Sequence, residues 1–200
     1  MRHLVLITLS LIGLILAGCS TNPKVERVDA ESVADLSGAW NDTDSRLVAE
    51  EMINDALAHV WITNHTQQTG ERPTVIVGAV RNNSHEHINV GIFTSDIERA
   101  LINSGRVDFV ASSEERQDIR AERIDQDLNA TERTRNQAGQ EQGADYMLKG
   151  SVNSNVDTVK GRQSRFYQVN MDLISLADNR KVWVGQKEIK KDIKRPLVRY

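Results

Sequence analysis

The chain's single cysteine, Cys19, lies where a lipid anchor would be attached. It follows the small pair Ala17-Gly18 and ends an apolar run over residues 4–17, which comes after the basic start Met1-Arg2-His3. A basic start, an apolar run, small residues and a cysteine are typical of a bacterial lipoprotein signal. We therefore predict a signal peptide over residues 1–18 and lipidation of Cys19 with S-diacylglycerol and N-palmitoyl groups.

The residues around Cys19 also predict the compartment. The apolar run covers about 14 residues, which is short of the roughly 20 that a membrane-spanning helix needs. Ser20 follows the cysteine, and by the sorting rule of the lipoprotein pathway a serine there, unlike an aspartate, indicates the outer membrane. We expect a lipid-anchored protein of the outer membrane that faces the periplasm.

A second group of residues that could do chemistry is His85-Glu86-His87. On an extended segment the two imidazoles would face the same side, as metal ligands do, but no third ligand stands at a suitable spacing. The sequence has no Walker loop, G-x-S-x-G or HExxH motif. The hypothesis of a metal-dependent hydrolase would depend on these two histidines alone. The prediction is therefore a hydrogen-bonding loop and a protein that is not an enzyme, with no catalytic residue, no cofactor and no metal.

The net charge of the chain limits the kinds of partner that it is expected to bind. The formal net charge is −3, and removal of residues 1–18 takes away Arg2 and makes it −4. This mild acidity argues against a nucleic-acid binder. Residues 187–199 carry six basic and two acidic side chains, which could meet an anionic surface or, as we favour, protect an exposed strand edge.

Hydrophobic periodicity predicts the elements that carry these groups. Helices are expected from N-cap candidates at residues 42–45 to before Gln67, over residues 90–103 with Gly105 as a cap, and as two charged, solvated helices over residues 114–142 that break near Asn129. Strands are expected over residues 74–80 and 107–111. A three-stranded meander follows from residue 146, with turns at Lys160-Gly161 and Asp178-Asn179. This order predicts an α/β (α+β) fold with a mixed sheet of about five strands and helices mainly on one face.

The chain is expected to contain one folded domain. Residues 19–38 are polar and predict a lipidated flexible tether, which could extend at most about 65 Å. Residues 39–200 would form a single globular domain that is stabilised by its core alone, because no second cysteine is present.

Several short segments, taken in order, resemble the LpoB family of lipoproteins. These are residues 41–48 (NDTDSRLV), 80–88 (VRNNSHEHI), 96–98 (DIE), Glu122-Arg123 with Gln126, and 143–150 (GADYMLKG). The resemblance implies a fold like the N-terminal domain of TolB. It also implies a monomeric, non-enzymatic activator that docks on a class A penicillin-binding protein and stimulates peptidoglycan synthesis, supporting cell wall biogenesis and cell shape.

This chain departs from the family pattern in its tether. The best-known enterobacterial member has a long Pro-rich arm between lipid and domain, whereas the predicted tether here covers only residues 19–38. A subunit of an outer-membrane secretion assembly resembling CsgG, or another periplasmic adaptor lipoprotein, is the alternative.

Overall fold

The computed structural model describes residues 25–29, 32–33, 37–159 and 161–194. Cys19 and the predicted signal peptide lie outside this range. The chain divides into two units, residues 1–32 and 33–200. Within the first unit, the backbone N–H of Ser32 donates a hydrogen bond to the carbonyl of Asp29 at 3.0 Å. All the elements below belong to the second unit.

The described residues form four helices and five strands, beginning with two consecutive helices and ending with three consecutive strands. They are α1 (Asp42–Ala58), α2 (Trp61–Thr69), β1 (Thr74–Asn82), α3 (Val90–Asn103), β2 (Asp108–Phe109), α4 (Ser113–Asn129), β3 (Tyr146–Val159), β4 (Arg162–Ser175) and β5 (Lys181–Lys194).

The five strands form one mixed sheet in the order β2-β1-β3-β4-β5. β1 runs parallel to both β2 and β3. β3, β4 and β5 form an antiparallel meander of three 14-residue strands. The predicted α/β fold with a mixed five-stranded sheet is confirmed.

Helices α1 and α3 pack together against one face of the sheet, with α1 on β5 and α3 on β1. Alternate residues of β4 point into this layer, which is why Tyr167, Val169, Met171 and Leu173 are buried. The core between the layers includes the fully buried Phe93 and Ile97 of α3 and Ile53 of α1, at the helical spacing that the sequence shows.

The first helix differs from the prediction at both ends. Its N-cap is Asn41, which forms a capping box with Asp44, so the predicted caps at residues 42–45 lie in its first turn. The predicted single helix is broken at His59, whose backbone is extended, and resumes as α2. Trp61 opens α2, and its indole N–H donates to the carbonyl of Ala56 at 2.7 Å. The same carbonyl accepts from the backbone N–H of His59 at 3.3 Å, so the end of α1 is bonded directly to the start of α2.

Other predicted ends are confirmed. Helix α3 covers residues 90–103, and Gly105 follows its cap with a left-handed φ of 63°. Asn179 turns the second hairpin with φ 61°. Lys160, in the predicted first turn, lies outside the described residues, while its neighbour Gly161 has φ 74°.

The prediction of two helices over residues 114–142 is wrong, because only α4 forms. Residues 130–142 contain no helix. That segment includes Gly139 and offers no apolar residue larger than alanine, so a second helix would have had nothing to bury.

Gly185 in β5 makes room for a tryptophan. A Cβ at this position would lie 2.3 Å from the ring of Trp183. That ring is buried, and its indole N–H donates to Asp55 Oδ2 of α1 at 2.8 Å. Because Gly185 has no side chain, the Trp183 ring can take this position and bond β5 to α1.

Candidate functional site

The loop after β1 places the two histidines of the possible metal motif on the protein surface. His85 and His87 are both exposed, and only Glu86 between them is partly buried. Among the described residues, no group of three His, Cys, Asp or Glu side chains is placed to hold a metal ion. Of these three residues, Glu86 makes the side-chain hydrogen bonds with the rest of the domain.

Glu86 is the centre of a polar network that joins distant parts of the chain. Its Oε1 accepts hydrogen bonds from Arg165 Nη1 at 2.7 Å and from the Tyr167 hydroxyl at 2.8 Å. Its Oε2 accepts from the backbone N–H of Trp40 at 3.3 Å. The Glu86 and Arg165 side chains are 20% and 19% exposed, so their ion pair is largely shielded from water.

The loop that carries Glu86 is shaped by two short side chains. Asn82 Oδ1 accepts from the backbone N–H of Ser84 at 2.9 Å, and its amide donates to the carbonyl of Glu86 at 2.8 Å. Ser84 Oγ accepts from the backbone N–H of Glu86 at 3.2 Å. These local bonds replace the strand ladder where β1 ends and fix the position of the Glu86 backbone.

A second buried ion pair lies at the start of α1. Lys191 Nζ contacts Asp44 Oδ2 at 2.6 Å, with side chains 10% and 9% exposed. Lys191 also donates to the carbonyl of Ala39 at 3.2 Å. The pair therefore ties β5 both to the capping box of α1 and to the chain segment that leads into that helix.

Trp40 packs beside the Glu86–Arg165 pair and also bonds to the first turn of α1. Its ring lies edge-on to Tyr167 and Phe93, with centroids 5.5 and 6.4 Å away, and its indole N–H donates to Ser45 Oγ at 2.8 Å. We call these six residues the Glu86 cluster: Trp40, Asp44, Glu86, Arg165, Tyr167 and Lys191. The cluster fastens residues 37–40 to both the helical layer and the meander.

The cluster also perturbs one titratable group strongly. Burial, reinforced by the hydrogen bond to Glu86 and opposed by Arg165, raises the pKa of Tyr167 to about 12. A tyrosinate here would lie against a carboxylate in a site with little water, so the hydroxyl remains a donor over the physiological range.

Helix α4 is the most exposed element that the structure describes. None of its 17 residues is buried. Its arginines face the segment that follows: Arg120 makes a bidentate pair with Glu141, with Nε–Oε1 and Nη2–Oε2 both 2.8 Å, and Arg123 approaches the same carboxylate at 3.6 Å. These guanidinium groups lower the pKa of Glu141, Arg120 most of all.

The rest of the exposed surface of α4 carries apolar and acidic side chains, and one of them, Ile124, also lines the groove that contains Arg120 and Glu141. Ile124 and Leu128 are 57% and 79% exposed, and their spacing puts them on one helical face. Glu114, Asp118 and Asp125 run beside them by the same periodicity, and within the described residues none of the three forms an ion pair. The prediction of a solvated, charged helix here is confirmed for residues 113–129.

The basic segment at residues 187–199 is partly occupied within the domain. Lys187 pairs with Glu51 of α1, and Lys191 with Asp44. Arg195 and Arg199 lie outside the described residues. No helix among the described residues is long and apolar enough to cross a membrane.

Sequence reasoning missed the Glu86 cluster as a unit. It singled out His85-Glu86-His87 for the histidines, although the Asn82-x-Ser84 spacing is a local signal for an ordered turn. The partners of Glu86 lie 46, 79 and 81 residues away along the chain, and no sequence pattern connects them.

Comparison with known proteins gives one family match and several weak structural likenesses. The family described as "Peptidoglycan-synthase activator LpoB" matches residues 44–189. The LpoB C-terminal domain of Salmonella enterica is 17% identical, with 73% of this chain and 98% of that chain covered and a TM-score of 0.45. The corresponding Escherichia coli domain is 16% identical, with coverages of 70% and 97% and a TM-score of 0.42.

A third solved structure belongs to another lipoprotein. GNA1162 of Neisseria meningitidis is 13% identical, with coverages of 60% and 83% and a TM-score of 0.37. A search of curated protein sequences found no match.

The fold and the Glu86 cluster define the class of protein: a mixed α/β domain with a largely buried ionic network. The match over residues 44–189 identifies the family, because it covers most of the chain, and the chain belongs to the LpoB family. Its members are lipoproteins that act as regulatory activators rather than as enzymes.

Proposed function

We propose that this protein is a lipoprotein of the outer membrane that activates a class A penicillin-binding protein and so stimulates peptidoglycan synthesis. Membership of the LpoB family is the observation that carries the proposal. Cys19 would be the lipidated residue, and the activator would face the periplasm without chemistry of its own.

The Glu86 cluster supports a mechanical part of this proposal. A tether that starts at Cys19 would enter the domain near Trp40, and any pull on it would act first on residues 37–40. The cluster binds this segment to β4 and β5 through buried charged hydrogen bonds, which are stronger than neutral ones. The lipid anchor would therefore be coupled to the whole sheet rather than to a fraying end.

Helix α4 supplies the surface on which we propose that the synthase docks. Its exposed surface combines Leu128, and Ile124 at the edge of the groove beside Arg120 and Glu141, with carboxylates that form no ion pair among the described residues. A protein surface with apolar residues and lysines or arginines around them would be complementary in charge. With two exposed aliphatic anchors, the contact fits a regulatory encounter rather than a permanent complex.

A binding experiment tests both the proposed function and the proposed contact through α4. The lipidated full-length protein would be tested for capture of a detergent-solubilised class A penicillin-binding protein from the same cell. A double variant, Asp118→Lys with Asp125→Lys, reverses charge on α4. Glu71→Lys with Asp157→Lys makes the same change of net charge at exposed positions outside α4 and serves as the matched control.

The proposed function and the proposed contact through α4 would be contradicted by different outcomes. We expect the wild type and the control to bind the synthase, and the α4 variant to bind at least about tenfold more weakly, since each charge reversal in a contact is worth of the order of 1 kcal/mol. If the wild type does not bind, the proposed function is wrong. If all three bind equally, the function stands and the α4 contact is wrong.

A further inference from the structure

We propose that the cleft between α2, the start of β3 and the β4–β5 turn is a binding site for a small carboxylate ligand. The cleft encloses about 310 Å³, at the lower end of the range for small-molecule sites. This volume suits a dipeptide or a single sugar. The proposal concerns a face distinct from α4 and does not depend on binding of a synthase.

The charged side chains that line the cleft are both basic. They are Arg180, at the end of the β4–β5 turn, and Lys181, the first residue of β5. Arg180 Nε donates to Asp178 at 2.6 Å and Lys181 Nζ donates to Asp172 at 2.7 Å. Neither carboxylate lines the cleft, and each bond leaves further N–H donors on its cation.

The remaining polar lining adds donors. Asn64 and Gln68 lie one helical turn apart on α2, so their amides face the same way, and neither amide has a partner within the described part of the chain. The floor holds His65, whose side chain is only 9% exposed and whose Nδ1 lies 3.1 Å from the Tyr146 hydroxyl. The lining therefore presents the remaining N–H donors of two cations together with two side-chain amides, each of which can donate and accept.

The charges around the cleft favour a carboxylate over a phosphate. Arg180 and Lys181 line the cleft, their partners Asp178 and Asp172 lie just outside it, and a third carboxylate, Asp145, lies 3.7 Å from His65 Nε2. A planar carboxylate matches the fork of the Arg180 guanidinium, whereas a doubly charged phosphate would meet more repulsion from Asp172 and Asp178. Val60 and Val182 give the rest of the ligand an apolar wall. Such a carboxylate is found at the end of a peptide or on an acidic sugar.

The proposal can be tested by NMR titration of the full-length protein in detergent micelles. The probes are N-acetyl-D-alanyl-D-alanine, the same dipeptide as its C-terminal amide, N-acetylmuramic acid and inorganic phosphate. We expect saturable binding of at least one carboxylate in the millimolar range, with shifts at the side chains of Asn64, His65 and Gln68. The dipeptide and the sugar acid distinguish the two sources of the carboxylate.

Variants make the result specific. Arg180→Ala should weaken binding about tenfold, since a hydrogen bond to a charged group is worth that much. Arg162→Ala, which removes an exposed arginine paired with Asp192 at the opposite end of the meander, should leave it unchanged. The proposal is overturned if neither carboxylate saturates, if the dipeptide amide or phosphate binds as tightly, or if Arg180→Ala binds like the wild type.

Discussion

Replacement of Glu86 by alanine tests whether the loop after β1 is a structural anchor. The change removes the carboxylate that accepts from Arg165 Nη1, the Tyr167 hydroxyl and the Trp40 backbone N–H. The Tyr167 hydroxyl then keeps only the longer contact with the carbonyl of Gly38, at 3.4 Å. Breaking a fully buried ion pair costs roughly 3–5 kcal/mol, because the remaining charge is left without compensation. With about a fifth of each side chain exposed, water relieves part of this cost, and we expect a loss of about 2–3 kcal/mol.

The loss can be measured by urea unfolding of the mature protein, followed by circular dichroism. In a thermal melt of a domain of this size, the same loss of stability should lower the Tm by roughly 4–12 °C. Glu86→Gln keeps an acceptor but removes the charge, so it should fall between Glu86→Ala and the wild type. His85→Ala and His87→Ala are the matched controls, because both histidines are exposed and should change stability by no more than about 0.5 kcal/mol.

The control variants decide how the loop is interpreted. If Glu86→Ala unfolds within about 0.5 kcal/mol of the wild type, the network does not hold residues 37–40 and the reasoning fails. If either histidine variant proves as destabilising as Glu86→Ala, the loop depends on its imidazoles and not on the carboxylate.

Four further substitutions test the cluster and the packing of β5 against α1. Because the pKa of Tyr167 is raised to about 12, the folded state holds this proton more tightly than the unfolded chain. This contribution is complete below about pH 10 and is lost as the pH rises toward 12. Wild-type stability should therefore fall by about 2–3 kcal/mol more than that of Tyr167→Phe over this interval, and parallel curves in alkaline urea melts would disprove it. Lys191→Ala strands a buried carboxylate and should cost about 3–5 kcal/mol, whereas Lys187→Ala removes a more exposed pair and should cost no more than about 1 kcal/mol by the same melts. Gly185→Ala forces the Trp183 ring to move and should cost about 1–3 kcal/mol, together with a changed near-UV circular dichroism signal; an unchanged spectrum and stability would contradict the close approach.

The fold was largely predictable because its elements show regular periodicity. Helix α3 has apolar residues at helical spacing and ends at a glycine, so both its bounds and its buried face follow from sequence. The meander alternates buried and exposed residues over three long strands, which fixes its face. The break between α1 and α2 was not predictable, because residues 59–60 contain neither Gly nor Pro and the interruption is stabilised by a bond from Trp61 to Ala56.

The site was less predictable than the fold, for a physical reason. Glu86, Arg165 and Lys191 look like surface charges in the sequence, since such residues are normally solvated. They are buried only because the meander brings β4 and β5 beside the segment that precedes α1. The capping box of α1 and the Asn82-x-Ser84 spacing were local clues, yet the pairing of Asp44 with Lys191 spans 147 residues.

The most direct test of the central claim is the rate at which a class A penicillin-binding protein polymerises lipid II. The assay would compare the detergent-solubilised synthase alone, with the lipidated protein, and with its Asp118→Lys, Asp125→Lys variant. We predict a faster rate with the wild-type protein, and a rate with the variant that stays close to that of the synthase alone. An unchanged rate at saturating wild-type protein would contradict the proposal that this chain is an activator of peptidoglycan synthesis.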